Sequence, residues 1–270
     1  MPRKIAATIY QSIIWIPSAI VPPFVKRRCD TERFSVDRFV YDEVAPKVSK
    51  DDIVLDAGAG VCQFKHLFSH AQYEATDFDE VFHEEARQKL DFYCSLDDIP
   101  KEDNTYTVVL NTQVLEHVEY PQKVIDELFR VLKPGGRLYL STNHMFPVHH
   151  APYNFYFFTR FGLKSLFENA GFEKIEIKER GGFFWLMAKI LHIAPQYLWY
   201  QICYDGYRKY SEFQPKMQRP LLALVLLPLY VPSILIFGYL IPFLFFYLDP
   251  LDRQKDMSLG YACVAVKPKK

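Results

Sequence analysis

The stretch Val54-Leu55-Asp56-Ala57-Gly58-Ala59-Gly60 decides the fold. Ile53-Val54-Leu55 reads as a buried strand, and it runs into an acid and two glycines. Glycines there let the backbone approach a ligand, and the helix that follows points its amides at it. The plain alternative is a tight turn that holds nothing. What lies downstream favours the ligand. Tyr73 to Thr76 reads as a second short strand. Asp77 closes it about 20 residues after Asp56, the spacing at which a carboxylate holds a ribose diol.

Outward from this point, apolar runs alternate with helical stretches. Phe64, Leu67 and Phe68 give a helical face, and Glu80 to Leu90 a charged helix. Tyr106 to Leu110 is a third apolar run. Val124, Ile125, Leu128, Phe129 and Leu132 fall at helical spacing, and Pro134-Gly135-Gly136 turns the chain into a strand over Arg137 to Ser141. Thr159 to Asn169 is an amphipathic helix stopped at Gly171, and Lys174 to Lys178 alternates like an edge strand. Such alternation predicts an α/β fold with a mainly parallel sheet covered on both faces.

The 270 residues carry 32 Lys+Arg against 32 Asp+Glu, which excludes nucleic-acid binding driven by bulk charge. Half the residues are hydrophobic, enough for a sizeable core. Five scattered cysteines show neither CxxC nor zinc spacing, so a reducing compartment is the simpler reading. The oddities are 16% aromatics and 18 Pro against 11 Gly. More than half of the aromatics fall between Phe146 and Tyr247.

Three further segments stand out: Leu96-Asp97-Asp98-Ile99-Pro100, Gln113-Val114-Leu115-Glu116-His117-Val118, and Arg130-Val131-Leu132-Lys133-Pro134-Gly135-Gly136. With the opening stretch, they make Asp52 to Phe172 resemble class I S-adenosylmethionine-dependent methyltransferases, of the small-molecule type found in bacterial glycan, lipid and quinone pathways. The resemblance covers a little under half of the chain. It implies a Rossmann-like, seven-stranded mixed sheet with helices on both faces, and S-adenosyl-L-methionine as cofactor. It also implies that Asp56, Gly58 and Gly60 form the cofactor loop and that Asp77 holds the ribose. Leu96 and Asp97 would lie beside the adenine, and Asn111 to Gln113 near the methionine part. The chain departs from the pattern in three places. Cys62 replaces the third loop glycine, Ser95 stands where an acid is frequent, and Tyr106-Thr107 replaces Phe-Asp.

Methyl transfer gains most from orientation, and a hydroxyl acceptor adds a need for a general base. The candidates are His117, His144, His149 and His150. His117 falls just past the fourth strand; a structural, hydrogen-bonded histidine is its plain alternative. His149 and His150 follow the fifth strand, where substrate loops lie in open α/β sheets. Gln113-x-x-Glu116-His117 is similar to the metal-binding Glu-x-x-Glu-His of ubiquinone-type O-methyltransferases. With Gln for the first Glu, one carboxylate and one imidazole make a poor hard-cation site, so no metal is expected.

The same resemblance makes Lys174 to Lys178 the sixth strand and Tyr261 to Val266 the seventh. Residues 181–258 are then an apolar, aromatic-rich helical insertion between the last two strands. Methyltransferase domain occupies 31–180 and 259–270, and an apolar and basic segment 1–30. Leu221 to Leu248 carries no charge, though a spanning helix needs only about 20 such residues. Pro228, Pro232, Gly238 and Pro242 divide it. Both ends of an insertion within one sheet lie on one side of any membrane, which excludes a single span. Two spans do not fit within this run. A shallow helical hairpin bent near those residues is expected, or a helical pair buried in protein. Arg208, Lys209, Lys216 and Arg219 flank the run and fit a cytoplasmic face. Ile5 to Val25 is uncharged between basic flanks; it reads as an amphipathic surface helix, or as a signal or spanning segment. Lys26-Arg27-Arg28 suits anionic headgroups.

The leading expectation is a methyltransferase at the cytoplasmic face of a membrane, acting on an oxygen of an apolar or lipid-linked acceptor, a glycan or a quinone-like molecule. The competing readings are a metal-assisted quinone O-methyltransferase and a catalytically silent, methyltransferase-like scaffold.

Overall fold

The computed structural model describes residues 19–78, 89–204 and 217–269. Most of the apolar N-terminal segment, and nearly all of the charged helix expected over Glu80 to Leu90, lie outside the described residues. The chain divides into two compact units. One comprises Ser35–Pro147, Tyr153–Arg180 and Leu259–Lys270; the other comprises Met1–Phe34, Val148–Pro152 and Gly181–Ser258.

The first unit is built on one seven-stranded sheet. Its strands are β1 (Ile53–Ala57), β2 (Gln72–Asp77), β3 (Phe92–Tyr93), β4 (Tyr106–Thr112), β5 (Leu132–Asn143), β6 (Glu173–Arg180) and β7 (Gly260–Val266). Their spatial order is β3-β2-β1-β4-β5-β7-β6. All neighbours pair parallel except β7, which runs antiparallel to both β5 and β6. This is the α/β, Rossmann-like mixed sheet that the sequence led us to expect. The reversal of strand order between β1 and β4 opens the crevice at their carboxyl ends where such sheets bind ligands.

The central strands are apolar on both sides because both faces are covered. Leu55, Val109, Leu138, Leu140 and Cys263 pack into one buried layer with Leu128, Leu163 and Phe167. Val54, Val108, Leu110 and Tyr139 pack into the other with Phe39, Val40 and Phe68. Phe64, Leu67 and Phe68 do not share an α-helix. Lys65–Phe68 is a single 3₁₀ turn, too short to repeat a helical face.

The helix carrying Val124, Ile125 and Leu128 is Pro121–Val131. Leu132 lies beyond it, already in β5 and opposite Tyr106. The helix end is closed by Lys267, whose ammonium donates to the carbonyls of Phe129 at 2.8 Å and Leu132 at 2.7 Å. A cation at that end also meets the negative pole of the helix. The helix Arg160–Ala170 starts where Thr159 Oγ1 accepts from Gly162 N, and stops at Gly171, left-handed at φ 94°.

The second unit is helical. It contains α1 (Pro23–Cys29), α2 (Phe183–Cys203) and a long apolar rod. The rod is α3 (Pro220–Ser233), a π-helical segment Ile234–Leu240 and α4 (Ile241–Leu248), continuing to Leu251. The expected bend at Pro228, Pro232, Gly238 or Pro242 does not occur. The wider π turn carries the helix on after the prolines, each of which withholds one backbone donor. The hairpin is instead made by α2 and the rod, which lie antiparallel. Trp185 stacks on Phe246 with centroids 5.1 Å apart, His192 Nδ1 donates to the Gly238 carbonyl, and Trp199 stacks on Tyr230 at 4.1 Å. The second arm is therefore Phe183–Cys203 rather than a half of the uncharged run.

At the open end of this hairpin, Asp249 Oδ1 accepts from the amides of Gly182 at 2.9 Å and Trp185 at 3.1 Å. Asp252 Oδ2 accepts from Phe183 N at 2.7 Å. Two carboxylates from the end of one arm thus cap the start of the other, where the helix dipole is positive.

Candidate cofactor and acceptor site

The glycine loop after β1 is shaped for close approach. Gly58 has φ 82° and Gly60 φ 53°, both left-handed. A Cβ on Gly58 would overlap the Val114 side chain, whereas one on Gly60 would meet nothing within 4 Å. The loop therefore presses on protein at Gly58 and opens to space at Gly60. The contact with Val114 also sets the turn over residues 113–117 beside the loop. Cys62 holds the left-handed conformation of the missing third glycine, at φ 55°. Its thiol is buried, and burial pushes its pKa up.

Asp56 ends β1 and is 2% exposed. Its Oδ2 accepts from the Tyr73 hydroxyl at 2.6 Å. Oδ1 is buried with no hydrogen-bond partner. Burial is the main cause that pushes this carboxyl up to about 7; Asp77 adds repulsion, and the Tyr73 bond works the other way. Asn111, fully buried on β4, donates from Nδ2 to the Ala57 carbonyl at 2.8 Å, and its Oδ1 is likewise buried without a partner. Buried oxygens without donors are costly, and a bound ligand offering N–H or O–H groups removes the cost. Asp77, at the end of β2, accepts from Gly60 N and Phe78 N, each at 2.7 Å. Each of its oxygens keeps acceptor capacity for a diol.

Leu96 and Asp97 sit in the turn after β3. Leu96 is buried, and Asp97 accepts from the Ser95 hydroxyl. Ser95 thus acts on the neighbouring acid. Arg130 of the RVLKPGG segment fixes the following loop: its guanidinium donates to the carbonyls of Ile99 at 3.0 Å and Lys101 at 2.8 Å. Its charge is balanced by Glu127 and Asp103, each at 2.7 Å.

Gln113 is left-handed at φ 58°. Its Nε2 donates to Ser141 Oγ at 3.1 Å, and its Oε1 accepts from Arg180 at 3.4 Å. Behind it lies a buried polar network. Glu116, fully buried, accepts from Thr142 Oγ1 at 2.7 Å and Asn143 Nδ2 at 2.9 Å. Asn143 Oδ1 accepts in turn from Arg180 at 3.0 Å, and Arg180 also donates to Ser35 Oγ at 3.0 Å. Asn143, Gly260 and Arg180 occupy one row across β5, β7 and β6. Gly260 makes the room: a Cβ there would overlap the Thr142 carbonyl and sit 2.5 Å from Arg180 Nη2.

His117 follows β4 in a 3₁₀ turn, Leu115–His117. Its Nδ1 lies on the Tyr153 carbonyl. A carbonyl only accepts, so Nδ1 carries the proton and Nε2 is the basic nitrogen. Burial holds its pKa below the usual histidine value, against the opposing pull of that carbonyl. The segment that carries Tyr153 is pinned to the same turn. Phe155 N donates to the Glu116 carbonyl at 2.9 Å and Phe158 N to the Asn143 carbonyl at 3.1 Å. Tyr153, Phe155, Tyr156 and Phe157 are each a little over 40% exposed there, an aromatic wall beside His117. His144 donates from Nδ1 to the Phe158 carbonyl at 2.8 Å and so anchors the far end of this wall. His149 and His150 belong to Val148–Pro152, which is part of the helical unit.

Sequence reasoning missed Tyr73, Asn143 and Arg180. Tyr73 read as an ordinary strand residue, and Arg180 lies just past the edge strand read over Lys174 to Lys178. Nothing in their spacing marks the partners that the sheet register gives them.

Residues 55–140 match the family described as "Methyltransferase domain". Over 102 residues the chain is 35% identical to the demethylmenaquinone methyltransferase of Clavibacter sepedonicus, covering 35% of this chain and 42% of that protein. Over 147 residues it is 35% identical to a probable S-adenosylmethionine-dependent methyltransferase of Mycolicibacterium smegmatis, covering 50% of this chain and 56% of that one. The chain thus spans about half the length of these relatives. A crystal structure of a SAM dependent methyltransferase from Archaeoglobus fulgidus superposes with a TM-score of 0.51 at 13% identity, over 88% of this chain and 95% of that chain, a likeness of fold alone. Strand order, loop geometry and family match agree: residues 55–140 lie in a methyltransferase domain similar to those of S-adenosylmethionine-dependent methyltransferases.

Proposed function

We propose that the chain transfers a methyl group from S-adenosyl-L-methionine to an oxygen of an apolar acceptor, a lipid-linked, glycan or quinone-like molecule, at a membrane surface. The observation that carries this reading is the pair of donor-less buried oxygens, Asp56 Oδ1 and Asn111 Oδ1, beside a loop open at Gly60. They suit a ligand rich in N–H and O–H groups and bearing positive charge. Asp77 would hold the ribose, Leu96 and Asp97 would border the adenine, and Asn111 and Gln113 the methionine part. When bound, the cofactor supplies an electrophilic methyl on a sulfonium. His117 would take the acceptor's hydroxyl proton at Nε2, poised as a neutral base by its Nδ1 bond to Tyr153. The aromatic wall from Tyr153 to Phe157 would orient an apolar ring or chain.

Support for the acceptor class comes from that wall and from the likeness to a demethylmenaquinone methyltransferase. Support for the membrane comes from the rod Pro220–Leu251, 32 residues long and apolar enough to cross one. A metal-assisted reaction is disfavoured, because Gln113 stands where a first carboxylate would, which leaves Glu116 as the one anionic oxygen donor of that motif. Activity should therefore survive chelators.

Cys62 and Ser95 favour the other reading, a silent scaffold. Calorimetric titration with S-adenosyl-L-methionine separates the two. Binding that falls tenfold or more in Asp77→Ala is expected, since a charged acceptor is worth roughly 1.5–3 kcal/mol. The absence of binding would sink the enzyme reading. Incubation with methyl-labelled cofactor and a lipid extract then identifies the acceptor from the labelled product.

A further inference from the structure

We propose that the helical unit crosses a lipid bilayer twice, with α2 and the rod as the two spans. This rests on the membrane reading above and deepens it from surface contact to a spanning hairpin.

The first argument is length. At about 1.5 Å per residue the 21 residues of α2 reach roughly 31 Å, the thickness of a bilayer's hydrocarbon core. The rod is longer, and a longer helix tilts to fit. The run Leu221 to Leu248 is too short for two crossings; with Phe183–Cys203 as the other arm two crossings fit by length, although among the described residues the rod is the one helix that is also apolar enough by composition.

The second argument is the lack of a polar face. A helix lying flat in the interface keeps one charged or polar side in water. The exposed positions of the rod carry no charge and include Leu221, Leu224, Val225, Leu229, Ile236 and Leu240. A helix apolar on its exposed side is either buried in protein or in lipid.

The third argument is the distribution of polar and aromatic groups. Charge sits at the two ends. At the base, α1 carries Lys26, Arg27 and Arg28 in its last turn, and the Arg28 guanidinium lies 5.7 Å from the Phe246 ring centroid and 5.9 Å from that of Tyr247. At the tip, Gln218 and Arg219 are exposed, just before the rod begins. An aromatic group marks each end: Phe34, Trp185 and Phe246 at the base, Trp199, Tyr204 and Tyr230 near the tip. Along α2, the interval from Trp185 to Tyr204 is roughly 29 Å at 1.5 Å per residue. Paired aromatic belts at that separation suit the two faces of a bilayer. Between them two polar side chains of α2 find partners within the helical unit, while Gln196 stays exposed. His192 donates to the Gly238 carbonyl, and Lys189 reaches back to Asp30 at 3.0 Å. A glycine at the contact lets the helices approach. The basic last turn of α1 at the base gives anionic headgroups a partner at roughly 1 kcal/mol per charge.

The test uses the full chain in sealed membrane vesicles of both orientations. Gln218→Cys, at the tip, should react with a membrane-impermeant maleimide, beyond the labelling of the native chain, only in vesicles of one orientation. Gln254→Cys, at the base, should do so only in the other. As a second measurement, trypsin added outside should cut after Arg253, which precedes Gln254, only in the orientation in which Gln254→Cys reacts. Reaction of Gln218→Cys and Gln254→Cys from the same side, with the protein still in the membrane, overturns the two-span hairpin and leaves surface association standing. Release of the protein by alkaline carbonate without detergent overturns both. Cofactor binding, measured on the same vesicles, reports separately on the methyltransferase reading.

Discussion

The Tyr73 hydroxyl donates to Asp56 at 2.6 Å, and it is the partner that Asp56 has for an otherwise buried carboxyl. Burial raises Asp56 to about 7, so the group takes up a proton in the folded, ligand-free chain well above the pH at which the unfolded chain does. Native protein then binds more protons than unfolded protein between about pH 4 and 7, and stability falls as pH rises through that window. Asp56→Asn removes the effect while keeping an acceptor for Tyr73. It should stabilise the ligand-free protein at pH 8 by on the order of 2–4 kcal/mol and change little at pH 4. Urea titrations at the two values measure this. A cationic ligand favours the ionised carboxylate, so wild-type affinity for S-adenosyl-L-methionine should weaken below about pH 7, with proton release on binding. Asp56→Asn should bind weakly at every pH. Equal affinity of wild type at pH 6 and 8 would contradict this account.

Gly58 and Gly60 should separate stability from binding. Alanine at either meets a positive φ, a cost of roughly 1–2 kcal/mol. At Gly58 it also drives into Val114, and a loss of about 3 kcal/mol or more is expected. Val114→Ala should recover part of it. At Gly60 the space is open, so the fold should lose only the backbone cost. The methyl then occupies the ligand's side of the loop, and cofactor binding should drop at least tenfold. Thermal melts and calorimetry on both variants read the two effects apart.

Much of this was legible beforehand, and the reason is local. The strand-acid-glycine stretch, the Pro-Gly-Gly turn and the stop at Gly171 are each dictated by residues a few positions apart. Their order along the chain then fixes a parallel sheet. Asp56, Gly58, Gly60 and Asp77 are of this kind, being the ends of two adjacent strands. Arg180 is not. Its partners Ser35 and Asn143 lie far away in sequence and meet it only through the β5-β7-β6 register. The hairpin was misplaced for a related reason. Prolines signal a bend in sequence, but the π-helical segment keeps the rod continuous, and the pairing with α2 depends on long-range contacts such as Trp185 with Phe246.

His117 should control the acid side of the pH profile. Its pKa is held below the usual histidine range by burial, so the neutral base persists through pH 7. At saturating cofactor and acceptor, kcat should stay level from pH 8 to 7 and fall at a pH below about 6.5. His117→Ala should lower kcat by about 10²–10⁴ and abolish that fall. KM for the cofactor should move little. A loss of kcat under threefold would remove His117 from the reaction and leave it as the anchor of Tyr153.

Glu116 and Arg180 are opposite charges, both buried, joined through Asn143. Removing one member strands the other in a low-dielectric interior, which typically costs about 3–5 kcal/mol. Arg180→Met should show a loss of that order, because Met keeps much of the side-chain volume but returns no charge to Asn143 and Glu116. Glu116→Gln should cost less, since its amide oxygen can still accept from Asn143 Nδ2 while its NH2 donates to the Thr142 hydroxyl, which can turn to accept. If the two charges sense each other through Asn143, the double variant should be more stable than the summed single losses by at least about 1 kcal/mol. Gly260→Ala attacks the same network without touching a charge. Its methyl would displace Arg180 Nη2 from the row that holds Asn143, so its loss should largely overlap that of Arg180→Met. Urea unfolding of the three single variants and the two doubles measures these couplings. Strict additivity of Glu116→Gln with Arg180→Met would show that the network is a set of separate hydrogen bonds and that Arg180 is balanced elsewhere.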